Sequence, residues 1–517
     1  MDRRPGIRLT LTAAVLAACS SAPSPRGLGV RRAPGAARGL VATADGAWLA
    51  WLESCVETRA QSLPAGTASC DLRVVPAAGG DPELVARAVT TLPGAMAVSP
   101  AGAEVSALSG YDYATASGTL TRWRPGARPA ELSSGVTFHG YGPDGALGYI
   151  AGGSLFLSLA GADPRPVEGV TAAASFELAP PGTELVALLR RRASAGGELL
   201  AVRKPPGATP ASAVKVAGPV GDYQFGRGPR YAFTRLAPKG SELEVVEAKS
   251  PAEPEMVAEG VRAFAFSPVV DALAFLADAL PGKQGNLRVR VGGRELALGN
   301  EVGEFRWAAR SPRLAWLEEY DPRIRSGTLG VGGLDVARRT LGKNVSDFEL
   351  SPDGRYVAYL QHTTRGGYSV DLLLAALDAS DGAAPRLVAQ STYGFAFSPD
   401  GRSLYYRSRC TRSGEACDLE RIATAEREKS PERIAEGMKS FEFDPREPGR
   451  ILVSFKRLDR DALDLGVWEG GSLARVDTQV EPGSARFLAG DRVRVAYVVL
   501  DEKRPGVYVA ELPGRAQ

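Results

Sequence analysis

The phrase Phe395-Ala396-Phe397-Ser398-Pro399-Asp400-Gly401 returns in altered form about every 45 residues, and this periodicity restricts the chain to a repeat architecture. The best copies are Phe264-Ala265-Phe266-Ser267-Pro268, Phe348-Glu349-Leu350-Ser351-Pro352-Asp353-Gly354 and Phe441-Glu442-Phe443-Asp444-Pro445. Weaker ones stand at Met96-Ala97-Val98-Ser99-Pro100 and Phe176-Glu177-Leu178-Ala179-Pro180. A second landmark keeps the register. Pro352 to Asp371, Pro399 to Asp418 and Pro445 to Asp464 are each 19 residues apart, while Pro180 to Glu198 and Pro268 to Asn286 are each 18.

One unit reads directly as four strands. Residues 347 to 350 form the first. Ser351-Pro352-Asp353-Gly354 is a type I turn, with proline where φ is near -65° and glycine at the last position. Residues 356 to 361 form the second strand, 370 to 377 the third and 386 to 389 the fourth. Four antiparallel strands in a unit of this length are the content of a propeller blade. The second strand, Tyr356-Val357-Ala358-Tyr359-Leu360, does not alternate apolar with polar, so both its faces must be covered. Stacking each blade between two others supplies that cover. The 37 prolines and 60 glycines suit a chain of strands and turns.

The turn phrase, the aromatic second strand and the later Asp-Leu resemble the WD40-like (PD40) repeats of the TolB family of bacterial periplasmic propellers. The resemblance covers roughly residues 40 to 517 and implies an all-β propeller fold. There is no room before residue 40 for the separate α/β domain with which TolB itself begins, and the role of TolB in the Tol-Pal envelope system is not carried over. Units start near residues 40, 94, 135, 172, 220, 260, 302, 345, 391, 437 and 483, which makes about eleven four-stranded blades. Propellers typically have four to eight, so two rings are expected, residues 40 to 260 and 261 to 517, with the split somewhere in 205 to 260. The chain ends soon after a third strand, Gly506-Val507-Tyr508-Val509-Ala510, and Gly29-Val30-Arg31-Arg32 precedes the first unit where a fourth would sit. The N-terminal strand is expected to complete the C-terminal blade and so hide its edge.

Residues 1 to 18 read as a lipoprotein signal peptide. Arg3, Arg4 and Arg8 give a positive start, the apolar stretch from Leu9 to Ala18 is too short to span a bilayer, and Leu16-Ala17-Ala18-Cys19 resembles the lipobox of bacterial lipoproteins. Cys19 is the expected lipidation site, with residues 19 to 39 as tether and closing strand. Ser20, where an aspartate would favour inner-membrane retention, points to an outer-membrane location facing the periplasm. Four cysteines remain. Of three possible pairings the local one, Cys55 with Cys70 and Cys410 with Cys417, is favoured because Cys70-Asp71-Leu72 and Cys417-Asp418-Leu419 sit at the same place in the repeat. Disulfides agree with an exported chain.

No cofactor and no metal site is expected, since the two histidines, His139 and His362, lie near neither cysteine pair. The net charge of +3 lacks the footprint of a nucleic-acid binder, and Arg190-Arg191-Arg192 reads as a solvated hairpin tip. A Ser-His-Asp device needs a carboxylate-held histidine, and there is no G-x-S-x-G elbow. The repeat-turn residues Ser351, Pro352, Asp353, Gly354, Ser398, Pro399, Asp400 and Gly401 are expected to be structural, as are Asp71, Asp371, Asp418 and Asp464 at the start of third strands. The chain is therefore expected not to be an enzyme but to be a lipid-anchored interaction module for a protein, peptide or glycan partner. The alternative is a hydrolase or lyase with a carboxylate-based site at a ring centre.

Overall fold

The computed structural model describes residues 29 to 512, apart from short segments at 59–62, 159–161, 182–184, 192–196, 204–210, 239, 280–283, 363–369, 379–383, 412, 427–429 and 457–461. The regular secondary structure described is entirely β, and nearly every pairing is antiparallel. The fold is a β-propeller. Strand pairing divides the described residues into eleven four-stranded units, numbered here 1 to 11 in chain order. In several places one long strand serves two units: Arg339–Leu350 pairs with Ser326–Gly333 through its first half, as the fourth strand of unit 7, and with Tyr356–His362 through its second, as the first strand of unit 8.

The second strands show why the sequence lacks alternation. In Arg313–Asp321 of unit 7, Leu314 and Trp316 enter the core shared with unit 6, while Ala315 and Leu317 enter the core shared with unit 8. Leu404 and Tyr406 of unit 9 likewise face unit 8, and Tyr405 faces unit 10. The period-2 geometry of a strand is intact, but both faces meet apolar neighbours.

These cores also correct the expected division into two rings. A seam within 205 to 260 would leave one interface there unpacked. Instead Leu185, Leu199, Tyr231 and Phe233 form one core across units 4 and 5, and Ala232, Leu243, Leu273 and Phe275 form another across units 5 and 6. The interfaces of the described residues follow chain order without a break, and the last joins unit 11 to unit 1: Leu488, Ala496, Val498, Val507 and Val509 pack on Leu40, Leu49 and Trp51.

Gly29–Pro34 lies beside Gly506–Glu511, with Gly29 opposite Ala510 and Pro34 opposite Gly506. A polar clasp reinforces this junction. Asp477, buried in unit 10, accepts hydrogen bonds from the Tyr497 hydroxyl at 2.9 Å and from Arg504 Nη1 at 3.0 Å, and the Gly29 backbone also meets the Tyr497 hydroxyl. The side-chain hydrogen bond to Asp477 raises the Arg504 pKa further above its ordinary value. A buried carboxylate is tolerable here because it is paired and hydrogen-bonded.

Gly506 adopts φ +150°, and a Cβ placed on it would run into the Ala33 carbonyl oxygen. Gly506→Ala is therefore expected to cost about 2 kcal/mol by chemical denaturation. It should also speed amide exchange in residues 29 to 34, and equal stability of the variant would show that this contact does not hold the junction.

Candidate functional site

The residues singled out in the sequence fall mainly into structural roles. Ser351 Oγ donates to Asp353 Oδ1 at 2.6 Å and accepts from the Tyr356 amide at 2.9 Å, while Asp353 Oδ1 accepts from the Arg355 amide at 3.1 Å. Ser398 and Asp400 repeat this arrangement at 2.6, 3.0 and 3.0 Å. Pro352 and Pro399 stand between these pairs, and Gly354 and Gly401 close the turns at φ +69° and +73°. In unit 10 Asp444 replaces the serine. Burial would raise its pKa, but bonds from the Arg446 amide and the Arg450 and Arg446 guanidinium groups hold it below the carboxylate norm.

Cys55 is bonded to Cys70 and Cys410 to Cys417. At the third strands, Asp418 binds Arg409 at 2.7 Å and accepts the Gly437 amide at 3.2 Å, Asp464 pairs with Arg475, Asp371 is buried and Asp71 half-buried. His139 is buried between Ser106 Oγ (3.1 Å) and the Ala95 carbonyl (3.4 Å), and burial pushes its pKa down to about 4. No carboxylate holds it. His362 is exposed at a hairpin. Cys19 lies outside the described residues, as does Arg192 of the basic run. No group of three or more metal-ligating side chains occurs among the described residues.

The first strand of each unit is the innermost, and its free edge forms the wall around the ring centre. The middle residue of the F-x-F phrase acts on this wall in a way the sequence analysis missed. Gln224 of unit 5 accepts the Phe266 amide of unit 6 at 3.4 Å, Arg306 of unit 7 donates to the Phe348 carbonyl of unit 8, and Glu349 of unit 8 accepts the Phe397 amide of unit 9. Each side chain thus satisfies backbone groups that the innermost edge would leave without a strand partner. Where the phrase carries Ala97, Ala265 or Ala396, no such bond can form.

The wall also keeps large side chains in reach of solvent. Phe138 is 41% exposed. Glu177, Arg306 and Glu442 are exposed, and Phe264, Phe305, Phe395, Phe441 and Phe487 are half-buried. Between units 10 and 11, Phe441, Glu442 and Glu481 line a cavity of about 220 Å³. Burial pushes the pKa of Glu481 and that of Glu349 up to about 7. A larger cavity of about 510 Å³ opens between units 5 and 6, on the side of the repeat turns. There Arg230 bridges to Asp271 at 2.7 Å over an apolar floor of Val245, Leu273 and Phe266.

No family model matches the chain, and no curated protein matches it. Similar solved structures include the crystal structure of the eukaryotic initiation factor, at 14% identity and TM-score 0.43, covering 70% of this chain and 93% of that one. They also include the crystal structure of the tricorn protease, at 14% identity and TM-score 0.25, where 92% of this chain spans 57% of the other. The expectation that the chain is not an enzyme is corrected to this extent: one of these similar structures is that of a protease. At these scores neither likeness carries an activity over.

The two carboxylates near pH 7 give stability a definite pH dependence. Their ordinary value is 4.5, so between about pH 4.5 and 7 these two groups hold more protons in the folded chain than in the unfolded one. Their contribution to stability falls as pH rises through that window and is flat above it. Glu349→Gln and Glu481→Gln keep the shape and an acceptor oxygen. Denaturant midpoints should gain on the parent protein from pH 5 to 7.5, and a gain independent of pH would refute the assignment.

Proposed function

We propose that the chain is an exported, lipid-anchored propeller of the cell envelope that binds a protein, peptide or glycan partner at the wall around its ring centre. The observation that carries this reading is the contrast between two sets of polar groups. Those of the repeat turns are spent on their own backbone, whereas Glu177 and Glu442 on the wall stay exposed beside half-buried aromatic rings. Aromatic rings with charged neighbours are what interface anchors are made of. The two disulfides support an oxidising compartment, and the lipobox supports attachment through Cys19 in the outer membrane facing the periplasm.

A second reading draws on the cavity shared by Glu442 and Glu481. A carboxyl group with its pKa near neutrality is suited to general acid–base work, as in a hydrolase or lyase. Glu481→Gln separates the readings on a panel of peptides and glycans: capture without turnover in both forms favours the module, and turnover lost in the variant favours the enzyme.

Photo-crosslinking residues placed at Phe138 and Glu442 in intact envelopes should trap one common partner, which the same residue at the outer-rim position Leu473 should not. Capture only from Leu473 would refute binding at the wall. Cys19→Ala is expected to move the chain into the soluble periplasmic fraction, and retention on membranes after a salt wash would refute the anchor.

A further inference from the structure

We infer that the face carrying the repeat turns of units 7 to 11 rests on an anionic lipid surface. The inference builds on the lipid-anchor reading above and adds an orientation and a second, electrostatic contact.

The first observation is a charge pattern that follows the repeat. In consecutive units the turn between the first and second strands presents an exposed arginine: Arg310 in unit 7, Arg355 in unit 8, Arg402 in unit 9, Arg446 in unit 10 and Arg492 in unit 11. Arg355, Arg402 and Arg492 are 62%, 88% and 76% exposed. Because all these turns close the same end of their blades, the guanidinium groups form an arc on one face of the ring. The corresponding turns of units 1 to 3 hold Asp45, Glu104 and Asp144 and no cation. Carboxylates of this sector pair with four of the five arginines, Asp378 with Arg355, Asp400 with Arg402, Asp444 with Arg446 and Glu511 with Arg492, and in each pair the arginine is the more exposed partner, while Glu447 and Asp491 also stand exposed in these turns. Asp353 and Asp400 accept bonds inside their own turns, and Asp444 is buried beneath Arg450. Asp378 lies 2.6 Å from Arg313, a contact that it shares with Arg355 at 3.3 Å, and Glu511 lies 2.6 Å from Arg492.

The second observation is where the described chain begins. Gly29 lies opposite Ala510, next to Glu511, which pairs with Arg492 of the unit 11 turn. Pro34, at the other end of the same strand, lies opposite Gly506. The chain therefore enters the fold on the face of the arginine arc, at unit 11. Only residues 20 to 28 separate Cys19 from Gly29, a reach of at most about 35 Å when extended. A lipid on Cys19 holds this face within that distance of the bilayer. At this height the arginines, the more exposed members of their pairs, meet the potential of anionic headgroups, which acts on each of them and falls off within a Debye length. The opposite face, with the hairpins after the second strands, then points away from the membrane.

Vesicle binding by the Cys19→Ala chain tests the arc without the lipid. With vesicles of 30 mol% phosphatidylglycerol in phosphatidylcholine at low salt, sedimentation should exceed that with phosphatidylcholine alone and fall as salt is added. The triple variant Arg310→Gln, Arg355→Gln, Arg402→Gln should bind on the order of tenfold more weakly or worse. A control triple on the opposite face, Arg323→Gln, Lys343→Gln, Lys503→Gln, should bind as the parent does. Equal loss in both triples, or no preference for phosphatidylglycerol, would overturn the inference. So would an arc variant that keeps its vesicle binding but loses crosslinks to a protein. Failure of Cys19 lipidation is read separately, from the fractionation of the Cys19→Ala chain in cells.

Discussion

Every blade of this protein depends on having an apolar neighbour on each side. Trp316, Tyr359, Tyr405 and Phe275 are fully buried although each lies on the second strand of its own sheet, because the adjoining blade covers it. Fully burying such a side chain contributes roughly 1.5–3 kcal/mol. A blade at an open end would lose that cover on one face and expose a sheet edge as well. Closure of the cycle is therefore the constraint from which the other features follow, including the strand at Gly29–Pro34, the Asp477 clasp and Gly506.

How much of this is legible in the sequence depends on whether a feature repeats. The turn phrase and the unbroken apolar second strand return in unit after unit, so the strand order of one blade can be read from residues 347 to 389 alone. The local cysteine pairing follows from equivalent places in two units. The division into two rings does not hold, and the reason is physical. A repeat specifies how one sheet packs on the next, but the curvature that sets the number of blades accumulates from small rotations at every interface. The cores of Tyr231 with Leu199 and of Phe275 with Leu243, which cross the expected boundary, can be seen only in three dimensions.

The wall at the ring centre was illegible for the opposite reason. Its middle position varies among Gln224, Arg306, Glu349, Glu442 and Ala396, so it looks like noise against the aromatic pair that flanks it. The hydrogen bonds of Gln224, Arg306 and Glu349 to the next unit's backbone give that variation a meaning. Some positions tie neighbouring blades together and others leave charge free. The same distinction separates the spent carboxylates of the turns from the arginines that project beside them.

Hydrogen exchange on a chain lacking residues 29 to 34 tests the single closed cycle most directly. Unit 11 packs on unit 1, so loss of the strand should raise exchange both in residues 494 to 511 and in residues 37 to 52, leaving residues 263 to 277 protected. Two rings would make unit 11 close on unit 6 instead. Loss of protection at 263 to 277 with 37 to 52 unchanged would contradict the account.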